Sequence, residues 1–95
     1  MGRYRLSKAA QQDIERPYLF GIESFGVEQA DRYFEGLFER LDELASQPML
    51  YPAVDNIRQG YRRSVYGAHS IYYRIDGNDV NVIRILGREN PSVLG

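Results

Sequence analysis

The segment Tyr61–Leu86, with the sequence YRRSVYGAHSIYYRIDGNDVNVIRIL, decides the fold. It contains three runs rich in β-branched and aromatic residues, and the dipeptides Gly67-Ala68 and Gly77-Asn78 separate them. Both dipeptides are tight-turn signals, and turns this short join antiparallel neighbours. The segment therefore predicts three consecutive antiparallel strands, at residues 61–66, 70–76 and 79–86.

Two amphipathic helices are predicted before these strands. Apolar residues recur every three or four positions through 8–24 and 27–46, and Gly26 between the two ranges is a typical helix end. So short a connection predicts that the helices fold back as a hairpin. Pro17 lacks a backbone donor, so we expect a bend or break of the first helix near it. Gly36 weakens the second helix and is expected to mark a close approach of another segment.

A short strand opens the chain. Tyr4 and Leu6 alternate with arginines, and the next residue, Ser7, is a preferred residue at a helix N-cap. The element order is therefore β-α-α-β-β-β. The apolar stripe of a helical hairpin and the apolar face of a sheet each need a packing partner. We predict an α+β fold, a single domain over 1–95, with the hairpin packed on one face of a small antiparallel sheet.

The composition disfavours several kinds of site. The 95 residues include no cysteine, so neither a disulfide framework nor a thiolate zinc site is available. The single histidine, His69, has no second ligand at metal-binding spacing beside it, and we predict no metal and no cofactor. Neither a signal peptide nor an apolar run of membrane-spanning length is visible, which predicts a cytoplasmic protein without a membrane partner.

Charge is distributed unevenly along the chain. The net charge is −1, which argues against tight binding to nucleic acid by the chain alone. Residues 1–55 carry six basic and ten acidic side chains, a balance of −4, whereas residues 56–95 carry six arginines and three acidic side chains, a balance of +3. Arginine is suited to bidentate contacts with carboxylates and phosphates. The strand half of the chain is therefore the candidate for charged contacts.

Known catalytic patterns are missing from the sequence. Neither a glycine-rich phosphate loop before a helix nor a nucleophilic serine motif is present. Acid–base cleavage of RNA needs two proton-transfer groups besides an arginine, and after the final strand only Glu89 can exchange protons near neutral pH. We predict no catalytic residues.

A series of motifs covers nearly the whole chain. They are the opening Tyr4–Ala10, the helix junction Phe25–Ala30, and the segments Asp55–Arg63, Gly67–Arg74 and Val82–Leu86. In this order and spacing they resemble the ParE family of type II toxin–antitoxin toxins. The resemblance implies a fold shared with the RelE ribonuclease superfamily, a ParD-type antitoxin as partner in a hetero-oligomer, and toxicity through binding to DNA gyrase rather than through enzymatic activity.

The resemblance directs attention to two sets of residues. Hypothetical contacts for gyrase or its DNA are the arginines concentrated in the strand half, Arg58, Arg62, Arg63, Arg84 and Arg88. An antitoxin helix is expected to pack on the apolar hairpin while a second antitoxin segment adds a strand to an open sheet edge. Its hypothetical contacts are Tyr18, Phe34 and Phe38.

Two alternative functions remain open. One is a ribosome-dependent messenger RNA endonuclease of the RelE type. The other is a binding module that still pairs with an antitoxin but has lost toxicity. The second alternative is motivated by two departures from the ParE pattern, Pro17 within the first helix and the tail Gly87–Asn90 after the last strand.

Overall fold

A computed structural model describes residues 2–87 and Leu94. Six elements occur in the predicted order, and none of their bounds differs from the sequence prediction by more than one residue. The elements are β1 (Tyr4–Leu6), α1 (Lys8–Phe25), α2 (Val27–Ser46), β2 (Tyr61–Tyr66), β3 (His69–Asp76) and β4 (Asp79–Leu86). The predicted α+β fold, two helices against one sheet, is confirmed.

The sheet is mixed rather than purely antiparallel. The strand order is β1-β4-β3-β2, in which β2, β3 and β4 form an antiparallel meander. However, β1 runs parallel to β4, with Tyr4 opposite Val80 and Leu6 opposite Val82. Because β2 is antiparallel to β3 and β3 is antiparallel to β4, the strands β2 and β4 run in the same direction. The parallel pair arises because the connection 47–60 returns the chain so that β2 begins in the direction of β1.

The first helix runs without a break from Lys8 to Phe25, and the expected break near Pro17 is absent. Ser7 caps its N-terminus, because the Ser7 hydroxyl accepts a hydrogen bond from the Ala10 amide at 2.9 Å. Tertiary contacts also hold the helix on both sides of the proline, through Asp13 one turn before it and through Tyr18 directly after it. These contacts offset the backbone hydrogen bond that the proline removes.

The main core lies between the helical hairpin and one face of the sheet. Fully buried residues of α2 meet Ile71 and Tyr73 of β3 and the valines of β4. The glycine in α2 permits one close approach here, because a Cβ atom on Gly36 would lie 2.0 Å from the hydroxyl oxygen of Tyr66. That hydroxyl donates a hydrogen bond to the carbonyl oxygen of Tyr33 at 3.0 Å. The expected close approach at this glycine is confirmed.

Tyr73 carries the most perturbed tyrosine hydroxyl of this core. The ring is fully buried, and the hydroxyl donates a hydrogen bond to the carbonyl oxygen of Pro48 at 2.7 Å. Burial disfavours the phenolate and raises the pKa of Tyr73 from 10.0 to about 12. A pKa that is higher in the folded than in the unfolded chain stabilises the fold fully below pH 10. That contribution is lost as the pH rises through about 12.

Tyr73→Phe tests this hydrogen bond. We expect the substitution to lower the free energy of unfolding by about 1 kcal/mol at neutral pH, because the Pro48 carbonyl loses its donor. Above pH 10 the wild-type chain should lose stability more steeply than the variant, and the difference between them should shrink. Urea unfolding of both proteins across this pH range measures the effect. A constant difference between the two curves would contradict it.

A second, smaller cluster covers part of the opposite face of the sheet, which we call the helix-free face. Tyr61 of β2, Tyr72 of β3 and Leu86 of β4 are buried there against Val54 and Leu94. Val54 reaches this cluster because its amide donates to the Tyr61 carbonyl, next to a single bridge between Ala53 and Arg62. Both faces of the sheet are therefore packed, although only one face carries helices.

A β-bulge in β4 fastens α1 to the sheet. The register shifts between Tyr72 and Tyr73, so that Ile83 is an extra residue of β4. The Ser7 hydroxyl donates a hydrogen bond to the Ile83 carbonyl at 2.7 Å. Directly after the bulge, both carboxylate oxygens of Asp13 accept hydrogen bonds from the Arg84 guanidinium, at 2.7 and 2.9 Å. The contact between the N-terminal half of α1 and β4 is therefore polar and specific.

Candidate partner-binding surfaces

A groove of about 520 Å³ runs between α1 and α2 and opens beside β1. We call it the hairpin groove. Its apolar lining consists of Leu6, Ile14, Tyr18, Phe34 and Phe38. The three aromatic members are the residues that the sequence analysis assigned to antitoxin contact. The fold brings all three to one surface.

The groove exists because the two helices approach each other most closely near their connection. At Gly21 the side chain is absent, and a Cβ atom there would lie 3.5 Å from the Cβ of Ala30. Further from the turn at Gly26, the larger rings of Tyr18 and Phe34 separate the helices. Small residues near the turn and aromatic residues away from it leave the groove open toward β1.

Tyr18 is fixed in the groove by two contacts. Its hydroxyl donates a hydrogen bond to a carboxylate oxygen of Asp31 at 2.5 Å, which joins α1 to α2. This hydrogen bond to a carboxylate, together with partial burial, raises the pKa of Tyr18 above its ordinary value. Its ring packs edge-on against Phe34, with ring centroids 5.5 Å apart. The groove wall is therefore preorganised before any partner arrives.

Phe34 and Phe38 have different environments within the groove. Phe34 is 7% exposed and belongs to the main core, whereas Phe38 is 38% exposed. A partner covering the groove would remove substantial apolar surface of Phe38 from water and little of Phe34. Phe38 is therefore the better candidate for a contact that matters for binding but not for folding.

The outer edge of β1 lies next to the groove, because Leu6 belongs to both. The carbonyl of Arg3 and the amide of Ser7 bond to β4, which directs the backbone groups of Tyr4 and Leu6 to the other side. Within the described residues no strand pairs with that side. The opposite edge of the sheet, at β2, is partly covered by the bridge at Ala53.

A basic surface lies on the helix-free face. Arg74 of β3 is exposed there opposite Tyr61, and Arg63 of β2 is half-buried opposite Tyr72. Arg58, which is exposed in the preceding loop, places its guanidinium carbon 5.9 Å from the centroid of the Tyr61 ring. We call Arg58, Arg63 and Arg74 the basic sheet face. Arg74 was not among the residues selected from the sequence.

Two other predicted arginines, Arg62 and Arg84, lie away from the basic sheet face. Arg62 is on the helix-covered side and donates a hydrogen bond to the Tyr51 carbonyl at 2.6 Å. Arg84 forms the ion pair with Asp13 that holds α1 to β4. Arg88 lies outside the described residues. The five arginines therefore do not form one surface, since strand alternation sends Arg62 and its neighbour Arg63 to opposite faces.

The fold and surfaces can be compared with known proteins. A family model for the ParE toxin of the type II toxin–antitoxin system parDE matches residues 4–91. The chain belongs to the ParE toxin family. This confirms the resemblance drawn from the sequence motifs, and the match extends from the first residue of β1 to beyond the end of β4.

Two relatives and one solved structure support the assignment to the ParE toxin family. Toxin ParE1 of Mycobacterium tuberculosis is 38% identical over 85 residues, which cover 88% of this chain and 87% of that protein. Toxin ParE1 of Caulobacter vibrioides is 36% identical over 86 residues, covering 90% and 88%. A structure of the chromosomal ParDE toxin–antitoxin system from P. aeruginosa superposes with a TM-score of 0.79 at 19% identity, covering 94% and 97% of the chains. At this identity it supports the fold.

The histidine, the acidic side chains and the helices of this ParE family member bear on possible metal sites and membrane spans. His69 is half-buried, and its Nδ1 lies 2.7 Å from the Tyr33 hydroxyl, which joins β3 to α2. Among residues 2–87 and Leu94, no three His, Asp or Glu side chains are grouped so that they would hold a metal ion. None of the helices described is long and apolar enough to cross a membrane.

Proposed function

We propose that this ParE family toxin inhibits DNA gyrase by binding rather than by catalysis, in the bacterial cytoplasm, and that a ParD-type antitoxin neutralises it. The observation that carries the antitoxin part is the hairpin groove, which gathers Tyr18, Phe34 and Phe38 beside the unpaired outer side of β1. An amphipathic helix fits such a groove, and an extended segment fits such an edge. One continuous partner chain can use both sites.

The gyrase part of the proposal rests on family membership together with the basic sheet face. Arg58, Arg63 and Arg74 present guanidinium groups on the face opposite the hairpin groove. Guanidinium groups bind carboxylates and phosphates bidentately, so this face suits an acidic protein surface or DNA held by gyrase. Because the groove and the basic face lie on different sides, an antitoxin in the groove would act by excluding gyrase through its bulk or by rearranging the toxin.

A supercoiling assay with purified gyrase tests the proposal. The chain is expected to inhibit supercoiling, and Arg63→Glu should raise the concentration for half-inhibition about tenfold, because a buried charge contact is replaced by repulsion. Arg32→Glu is the matched control. Arg32 is an exposed arginine of α2, where it pairs with Glu28, and its substitution should leave inhibition within about twofold.

Three outcomes would overturn parts of the proposal. Absence of both inhibition and trapped DNA cleavage at a large excess of toxin would remove gyrase as the target. Cut messenger RNA in a translation extract would support the RelE-type endonuclease instead. Unaffected growth of cells that contain the soluble chain without an antitoxin would support a binding module that has lost toxicity.

A further inference from the structure

The rim of the hairpin groove is acidic. Besides its apolar lining, the groove is bounded by Gln11 and Glu15 of α1 and by Asp31 and Glu35 of α2, and no arginine or lysine of the described part of the chain lines it. Glu15 and Glu35 are exposed, one on each helix. A partner that occupies the groove therefore meets an apolar floor between two rims that carry carboxylates.

The acidic rim continues along α2 toward β1. Asp42 follows Glu35 by seven residues, which places both on the same side of the helix. Burial and, after it, the charge of Asp42 raise the pKa of Tyr4 in the edge strand, so Asp42 is near enough to this strand for its charge to be felt there. The carboxylates therefore extend from the middle of the hairpin to the edge of the sheet where a partner strand would begin.

The basic residues of α2 do not neutralise this rim. Arg32 pairs with Glu28 at 3.5 Å on the solvent side. Arg40 is directed to β2, where it donates hydrogen bonds to the Ser64 hydroxyl and the Val65 carbonyl at 2.8 and 2.9 Å. Both arginines of α2 are therefore engaged away from the carboxylates of the groove rim.

We infer that the helix bound in the hairpin groove carries lysine or arginine on both flanks of its apolar stripe. The inference rests on the proposed function, in which the groove receives a partner helix. Carboxylates on both rims attract basic flanks and repel acidic ones, and like charges brought together at an interface cost several kcal/mol. The rim therefore selects among amphipathic helices that have the same apolar stripe.

Two synthetic helical peptides test the inference on the full chain. Both peptides carry the same apolar stripe, spaced so that its side chains can contact Phe38 and Ile14 in the groove. The residues that flank the stripe are lysine in one peptide and glutamate in the other. Fluorescence anisotropy at about 50 mM salt should give the lysine peptide an affinity about tenfold or more higher. At about 500 mM salt the ratio should fall toward one, because exposed charges are screened.

The double variant Glu15→Gln and Glu35→Gln is the decisive control, because it keeps the shape of the rim while removing two charges. The preference for the lysine peptide should fall about fivefold or more in this variant. The inference would be overturned by equal binding of the two peptides or by a preference for the glutamate peptide. It would also be overturned by a lysine preference that survives in the double variant, or by no binding of either peptide at about 1 mM. A salt-sensitive dimer of the chain itself that occupies the groove would overturn it as well.

Failure of this inference can be distinguished from failure of the proposed function. Rescue of growth by a co-expressed ParD-type antitoxin tests whether an antitoxin neutralises the chain, whatever its charge. Rescue together with an absent lysine preference would reject the charge pattern alone. A lysine preference without rescue would leave the groove as a basic-helix site whose occupant is another protein.

Discussion

Asp13→Ala is expected to lower the free energy of unfolding by about 3 kcal/mol. The side chain of Asp13 is 13% exposed and that of its partner Arg84 is 26% exposed, so the bidentate pair is largely shielded from water. The same Asp13 carboxylate accepts a hydrogen bond from the Ile85 amide at 2.9 Å. Removal of the carboxylate leaves a partly buried guanidinium and an amide without this acceptor, and both losses are costly in a low-dielectric site.

The pair between Arg5 and Asp79 is the matched control, because it has a similar distance but a different environment. Its nitrogen and oxygen lie 2.9 Å apart, yet the Arg5 side chain is 63% exposed. Asp79 also accepts a hydrogen bond from a backbone amide, that of Arg3, at 3.1 Å. Asp79→Ala should nevertheless destabilise the fold clearly less than Asp13→Ala, because exposed ion pairs contribute little. Urea unfolding of the two variants beside wild type gives both values. Equal losses would show that burial does not strengthen the Asp13 pair.

The helices and strands were predictable because their signals are local. The residue pattern predicted the bounds of α2 and of the strands β2, β3 and β4 to within one residue. Gly26 and the two glycine turns marked the connections between the elements. Of the bend or break predicted near Pro17, the break was wrong, because the prediction weighed one lost backbone bond without the contacts of Asp13 and Tyr18. Those contacts join residues far apart in the chain, and no local pattern reveals them.

The direction of β1 and the second cluster depend on tertiary structure in the same way. A three-residue strand pairs in either direction equally well by its own pattern, and the path of residues 47–60 decides the direction. Val54 and Leu94 lie outside regular elements, so periodicity does not identify them as buried. The sequence pattern therefore does not reveal the second cluster on the helix-free face.

The two candidate surfaces differed in how far they were predictable. Tyr18, Phe34 and Phe38 lie on helices whose apolar sides were evident, so their meeting in one groove follows from the hairpin. The arginines were selected by charge alone. Strand alternation turns Arg62 away from the basic sheet face, and the position of Arg84 after the bulge places it against α1.

Phe38→Ala is expected to weaken binding of the ParD-type antitoxin by about 30- to 100-fold while destabilising the toxin less than Phe34→Ala does. Phe38 lines the hairpin groove and is 38% exposed, so the isolated toxin gains less from burying it than from burying Phe34. A partner helix would cover the ring in the centre of the groove. Central aromatic residues contribute about 2 kcal/mol or more to protein interfaces.

Phe34 and Phe25 supply two controls, a ring buried in the core and an exposed ring outside the groove. Phe34→Ala should destabilise the toxin by about 3 kcal/mol, because the ring is only 7% exposed in the core. Phe25 is 63% exposed at the end of α1, outside the groove, so Phe25→Ala should change neither stability nor affinity measurably.

Calorimetric titration of each variant with a ParD-type antitoxin measures the affinity, and thermal unfolding of the same variants measures the stability. An affinity loss confined to Phe38→Ala in a fully folded toxin assigns the groove to the antitoxin, because only that variant removes groove surface without disturbing the core. If Phe38→Ala retains wild-type affinity, the antitoxin helix lies elsewhere. The outer side of β1, which no strand among the described residues pairs, would then be the next site to test, because backbone groups of Tyr4 and Leu6 supply contacts that no side-chain substitution removes.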